Sequence, residues 1–148
     1  MFPRVLKAFQ RVRALLWACG WHGAFPTVST CAQADADQER SWRQFAHALC
    51  KDEETVCVAQ EANAQLTDAE LFGGLLHEVG HIIASINRLP AHMAASHDDS
   101  DKTPEPVQAE ADSEIFRITG LRIFYNQRTL QEVDVKAFEE LERRFGLQ

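Results

Sequence analysis

Residues 67–89 constrain this chain more than any other stretch, because they read as one long helix that must bury a face. Leu71, Leu75, Val79, Ile82, Ile86 and Leu89 recur at steps of three and four, the spacing that lays a continuous apolar stripe along one side of a helix. Thr67 and Glu70 have the capping-box spacing at its start, and Pro90 stops it. Gly73, Gly74 and Gly80 each cost about 1 kcal/mol of helix propensity relative to Ala. Three such costs in one helix predict a close approach by another element or a ligand.

In the middle of that helix stands His77-Glu78-Val79-Gly80-His81. Two histidines four apart lie about one turn from each other on one face, so both imidazoles can reach a single metal ion. The glutamate between them is placed to handle a proton on the open side of the ion. The HExxH pattern is the signature of a zinc-dependent peptide hydrolase. Its flanks, Leu75-Leu76 and Ile82-Ile83, are uncharged, as is the interior pair Val79-Gly80. The expectation is therefore Zn2+ held by His77 and His81. Glu78 acts as general base towards a zinc-activated water whose pKa falls towards about 7, and the substrate is a peptide or protein.

Catalytic zinc takes three protein ligands and keeps a fourth position open. The second helix expected, roughly 107–119, opens at Pro106 and closes at Gly120, and it carries Gln108-Ala109-Glu110-Ala111-Asp112. Together, residues 75–83 and 107–119 resemble the small gluzincin-type metallopeptidases of the ImmA/IrrE kind and their phage and bacterial relatives. The resemblance covers about half of the chain and rests on two short motifs. It implies a third zinc ligand four residues before Asp112, where this chain has Gln108, a neutral and weak donor. Glu110 has the better chemistry but lies about 200° around an ideal helix from Gln108. Glu110 is the expected ligand, with Gln108, Asp112, His92 and His97 as alternatives. By the same resemblance, Asp112 would orient His77 or His81 through the free ring nitrogen. The metzincin pattern is disfavoured, because Asn87 stands where it needs a histidine.

Charge divides the chain. Residues 1–34 hold Arg4, Lys7, Arg11 and Arg13 and no acidic residue, whereas all 22 Asp and Glu follow from Asp35 onward. A basic start, the apolar run Ala14–Trp21 and the small-x-small Ala32-Gln33-Ala34 together have the parts of an export signal. The expected division is a leader over 1–34 and a metallopeptidase-like domain over 35–148, exported or, alternatively, cytoplasmic. The competing reading of the leader is an amphipathic helix with Val5, Phe9, Val12 and Leu16 on one face. Cys50 and Cys57 would remain as an even pair able to form a disulfide in an oxidising compartment.

The net charge of −7 disfavours a general nucleic-acid binder, and no apolar run is long enough for a stable membrane span. Other elements expected are a helix over 36–49, a β-prone run over 55–59 that could form an edge strand, and a loop over 91–106. A strand over 121–125 and a final helix from Thr129 to Phe145 complete them. The fold class expected is α+β: a mostly helical, minimal zincin-like domain with a small β-sheet or hairpin beside the HExxH helix. The alternative function is a non-catalytic zinc-binding domain acting through a protein partner.

Overall fold

The computed structural model describes residues 3–23, 25–31, 46–49, 55–59, 65–94, 105–128 and 130–147. The fold is α+β and mostly helical, as expected. Its elements in chain order are α1 (Pro3–Ala18), β1 (Thr27–Cys31), β2 (Ala46–Leu49), β3 (Thr55–Ala59) and α2 (Asp68–Ile86). These are followed by α3 (Pro90–Ala94), α4 (Glu105–Thr119), β4 (Phe124–Tyr125), β5 (Gln131–Glu132) and α5 (Val135–Arg144).

The central helix α2 is buried almost from end to end, and the other elements surround it. Its start is the capping box read from the sequence: the Glu70 amide donates to the Thr67 hydroxyl (3.1 Å), and the Thr67 amide donates to the Glu70 carboxylate (2.9 Å). These bonds satisfy amides that the first turn leaves without a helical partner. The helix ends at Ile86 rather than at Leu89, because Arg88 adopts the left-handed region (φ 56°) and the Leu89 amide folds back to the Ala84 carbonyl. Apolar residues of α1, α2, α4 and α5 share one core that includes Leu15, Leu16, Leu71, Leu75, Ile82, Ile115 and Phe138.

Two of the three glycines in α2 are accounted for by close approach. A Cβ on Gly73 would lie 2.6 Å from Glu132 Cα, where the β4–β5 hairpin passes over the helix. A Cβ on Gly80 would collide with the Ala111 carbonyl, where α4 crosses α2. Gly80→Ala gains about 1 kcal/mol of helix propensity and forces that crossing apart at a cost of about 1–3 kcal/mol. Denaturant unfolding is expected to show net destabilisation, and a more stable variant would mean that the helices do not meet at Gly80.

A three-stranded mixed sheet lies to one side, in the order β1-β3-β2. β3 pairs with β1 in parallel and with β2 antiparallel. The run at 55–59 is thus the central strand and not an edge, and β2 is the edge strand that lies against α2. Residues 46–49 were expected to finish a helix but are extended, because their backbone is paired to β3. The rest of that predicted helix, and Cys50, lie outside the described residues. The last helix also begins later than Thr129. Its N-cap is Asp134, whose side chain accepts from the Lys136 and Ala137 amides, and the Gln131–Glu132 segment before it pairs with β4. The predicted loop at 91–106 begins with the short helix α3.

α1 is amphipathic, with Val5, Ala8, Phe9, Val12, Leu15 and Leu16 buried. Arg11 forms a bidentate ion pair with the buried Glu142 on α5, at 2.5 and 2.9 Å, and its guanidinium lies over the Phe72 ring at 4.7 Å. Arg4 pairs with Asp68 at the start of α2. Among the described residues, no helix is long and apolar enough to cross a membrane.

Candidate metal centre

The crossing of α2 and α4 builds the site. Gln108, Ala111, Asp112 and Ile115 recur at helical steps of three and four, so they share the α4 face that packs on α2 at Gly80. That packing brings residues from both helices around His77 and His81.

The two imidazoles stand nearly perpendicular (87°), with their Nε2 atoms 3.0 Å apart. His77 Nδ1 lies 2.6 Å from Asp112 Oδ1. A carboxylate can only accept here, so Nδ1 carries a proton, and in the neutral ring His77 Nε2 presents a lone pair. The second oxygen of Asp112 accepts from the Tyr125 hydroxyl at 3.0 Å. Asp112 thus orients His77, the role that the sequence resemblance implies for it.

His81 is held by a longer chain of bonds. His92 Nδ1 donates to Glu110 Oε1 (2.7 Å), and in the neutral ring His92 Nε2 is then an acceptor. His81 Nδ1 donates to that nitrogen at 2.9 Å, so His81 Nε2 also presents a lone pair. Gln108 Oε1 lies 3.2 Å from His81 Nε2. Two ring nitrogens and an amide oxygen therefore converge: His77 Nε2 and Gln108 Oε1 lie 3.0 and 3.2 Å from His81 Nε2, and with both imidazoles neutral each ring presents a lone pair there.

Glu110, the ligand expected on chemical grounds, is not brought to that point. Its carboxylate accepts from the Ala91 amide (2.7 Å), the His92 amide (2.9 Å) and His92 Nδ1. Helical register decides the matter: Gln108 is on the face towards α2, and Glu110 is turned towards α3. On the same flank, Glu114 accepts from Asn87 at the end of α2 (2.8 Å). His92, considered as a ligand, contacts His81 from outside. His97 lies outside the described residues.

Glu78 is buried (6% exposed), and its charge acts on both His77 and Tyr125. Burial disfavours the charged form of His77, but the hydrogen bond to Asp112 and the Glu78 charge outweigh it and raise the His77 pKa above the ordinary histidine value. Burial, followed by the Asp112 charge, pushes the Tyr125 phenol well above its ordinary range and keeps it protonated. Burial would raise the Glu110 pKa, but the bonds from His92 and the two backbone amides lower it, so the carboxylate stays ionised.

Sequence reasoning offered His92 only as an alternative ligand and gave Tyr125 no place in the site. Tyr125 is the only tyrosine of the chain, and it is the last residue of the strand expected over 121–125. His92 lies only 11 residues beyond His81, but in a segment that reads as a loop. Among the described residues, no three His, Cys, Asp or Glu side chains form a ligand set; the third donor here is an amide oxygen. No protein-family model, curated protein or solved structure matches this chain.

Proposed function

We propose that this chain is a zinc-dependent metallopeptidase of gluzincin type, with the metal held by His77, His81 and the amide oxygen of Gln108. The observation that supports this reading is the convergence of His77 Nε2, His81 Nε2 and Gln108 Oε1 at the α2–α4 crossing. With both imidazoles neutral, Asp112 and His92 take up their Nδ1 atoms from behind, which leaves the two Nε2 lone pairs and the Gln108 oxygen as a ligand set for a cation. The spacing also suits the ion. Two nitrogens at about 2.0–2.1 Å from a tetrahedral zinc stand about 3.3 Å apart, against 3.0 Å here.

When bound, Zn2+ supplies a Lewis acid for the peptide carbonyl and a water of lowered pKa. The remaining work falls to the protein. Glu78 takes a proton at its carboxylate and returns it to the departing amine. Asp112 fixes the His77 ring. Tyr125, held in its neutral form, keeps its hydroxyl at the edge of the site beside Asp112. The strand β2 beside α2 is an edge of the sheet among the described residues, and an extended peptide could pair along it.

Gln108 favours a second reading. A neutral third donor leaves the ion less tightly held than a carboxylate would, which suits a non-catalytic zinc domain that acts through a protein partner. Elemental analysis of purified full-length protein, followed by peptide-library digestion, tests the proposal. One zinc per chain and chelator-sensitive cleavage are expected. Protein that takes up no zinc would sink both readings, whereas zinc without cleavage would leave only the second.

A further inference from the structure

Glu110 and His92 are built into the site in a way that a metal-binding pair of histidines does not by itself require. His77 has a carboxylate directly behind it, Asp112. His81 has a second imidazole behind it and a carboxylate behind that, in the line Glu110–His92–His81 with contacts of 2.7 and 2.9 Å. The His92 side chain is 5% exposed, so solvent competes little for these bonds. With both imidazoles neutral, the protons of the line have one arrangement. Glu110 only accepts, His92 donates through Nδ1 and accepts at Nε2, and His81 donates through Nδ1. In that arrangement His81 Nε2 presents a lone pair towards His77 and Gln108.

We propose that Glu110 and His92 act as positioning residues that set His81 as a metal ligand and pass to it, through two imidazoles, the negative charge that Gln108 does not supply at the ion. The proposal rests on the metal reading above. It assigns to Glu110 a role one shell away from the one its chemistry first implies: the carboxylate serves the site from behind a ligand. The plain alternative is that Glu110 only clamps the start of α3, because it also accepts from the Ala91 and His92 amides.

The test uses full-length protein and two readouts apart from activity: zinc affinity by competition with a chromophoric chelator, and the visible absorption of the Co2+-substituted protein. Glu110→Gln keeps the shape and an accepting oxygen but removes the charge. His92→Phe keeps a ring but breaks the line. Each is expected to weaken zinc binding by about 10–100-fold and to shift the cobalt bands. The double variant should be no weaker than His92→Phe alone, because the carboxylate acts only through that ring. Gln108→Glu, which restores a carboxylate at the ion itself, should recover most of the loss in Glu110→Gln.

Wild-type zinc affinity retained in Glu110→Gln would overturn the relay while leaving the metal site intact. So would a loss that Gln108→Glu fails to recover and that tracks a fall in the stability of the metal-free protein, since that would make Glu110 a helix clamp. A wild-type protein that binds no zinc would instead remove the metal reading, and the relay with it.

Discussion

Glu78→Gln is expected to leave zinc binding unchanged and to lower peptide hydrolysis by about 10²–10⁴-fold, the usual contribution of a positioned general base. The two residues have the same shape, so the packing of α2 around a buried side chain is preserved. What changes is proton affinity: an amide cannot take the proton that the reaction must hand on. Glu78 lies between His77 and His81 in sequence, and its charge reaches His77 and Tyr125, which places it at the site. His77→Ala and His81→Ala form the contrasting pair, because each removes a ligand and should abolish zinc uptake as well as hydrolysis. Zinc content by elemental analysis, read beside turnover of a fluorogenic peptide, separates the two kinds of loss. Full hydrolysis by Glu78→Gln would sink the general-base assignment. A wild-type protein that holds zinc and cleaves nothing would favour the partner-binding reading.

The parts of this site that were legible in the sequence are those with a local cause. The apolar stripe and capping box define α2, and a four-residue spacing puts His77 and His81 together whatever else the chain does. The helical setting of Gln108 and Asp112 was legible for the same reason. The position of Glu110 was not. Chemistry favours a carboxylate over an amide at a metal, but register fixes which residue faces the crossing, and register wins because Gly80 and Ala111 pack backbone to backbone. His92 could not be placed, since its contact with His81 depends on α3 turning back over the end of α2, and a five-residue helix leaves little periodic trace. The Ala46–Leu49 segment shows the converse error. Its residues have fair helix propensity, yet they are extended because β3 offers a ladder of backbone hydrogen bonds. The same holds for Gln131 and Glu132, which pair with β4 before the last helix begins.

Deleting residues 1–18 is expected to abolish cooperative folding. The helix α1, Pro3–Ala18, covers one side of α2 with Val5, Phe9, Val12, Leu15 and Leu16, each at most 4% exposed. At about 1.5–3 kcal/mol for each large apolar side chain buried, these five contribute on the order of 10 kcal/mol, an upper estimate. That is comparable to the entire stability of an ordinary domain, about 5–15 kcal/mol. The deletion also removes Arg11 and leaves Glu142 buried (3% exposed) without the guanidinium that pairs with it, a loss usually severe when a charge stays buried. Arg4 matters less, because its partner Asp68 is exposed and such pairs contribute at most about 1 kcal/mol. These contacts bear on the export reading of the leader. Cleavage after Ala34 would remove the same helix, so an exported chain would have to fold without this wall of its core. Circular dichroism and thermal unfolding of the full-length chain against a chain starting at Asp35 decide between the two. Loss of the unfolding transition in the shorter chain means that α1 belongs to the working domain. A shorter chain that melts cooperatively and takes up one zinc would show instead that the leader is dispensable, and N-terminal sequencing of protein recovered from an exporting host would then be expected to begin at Asp35.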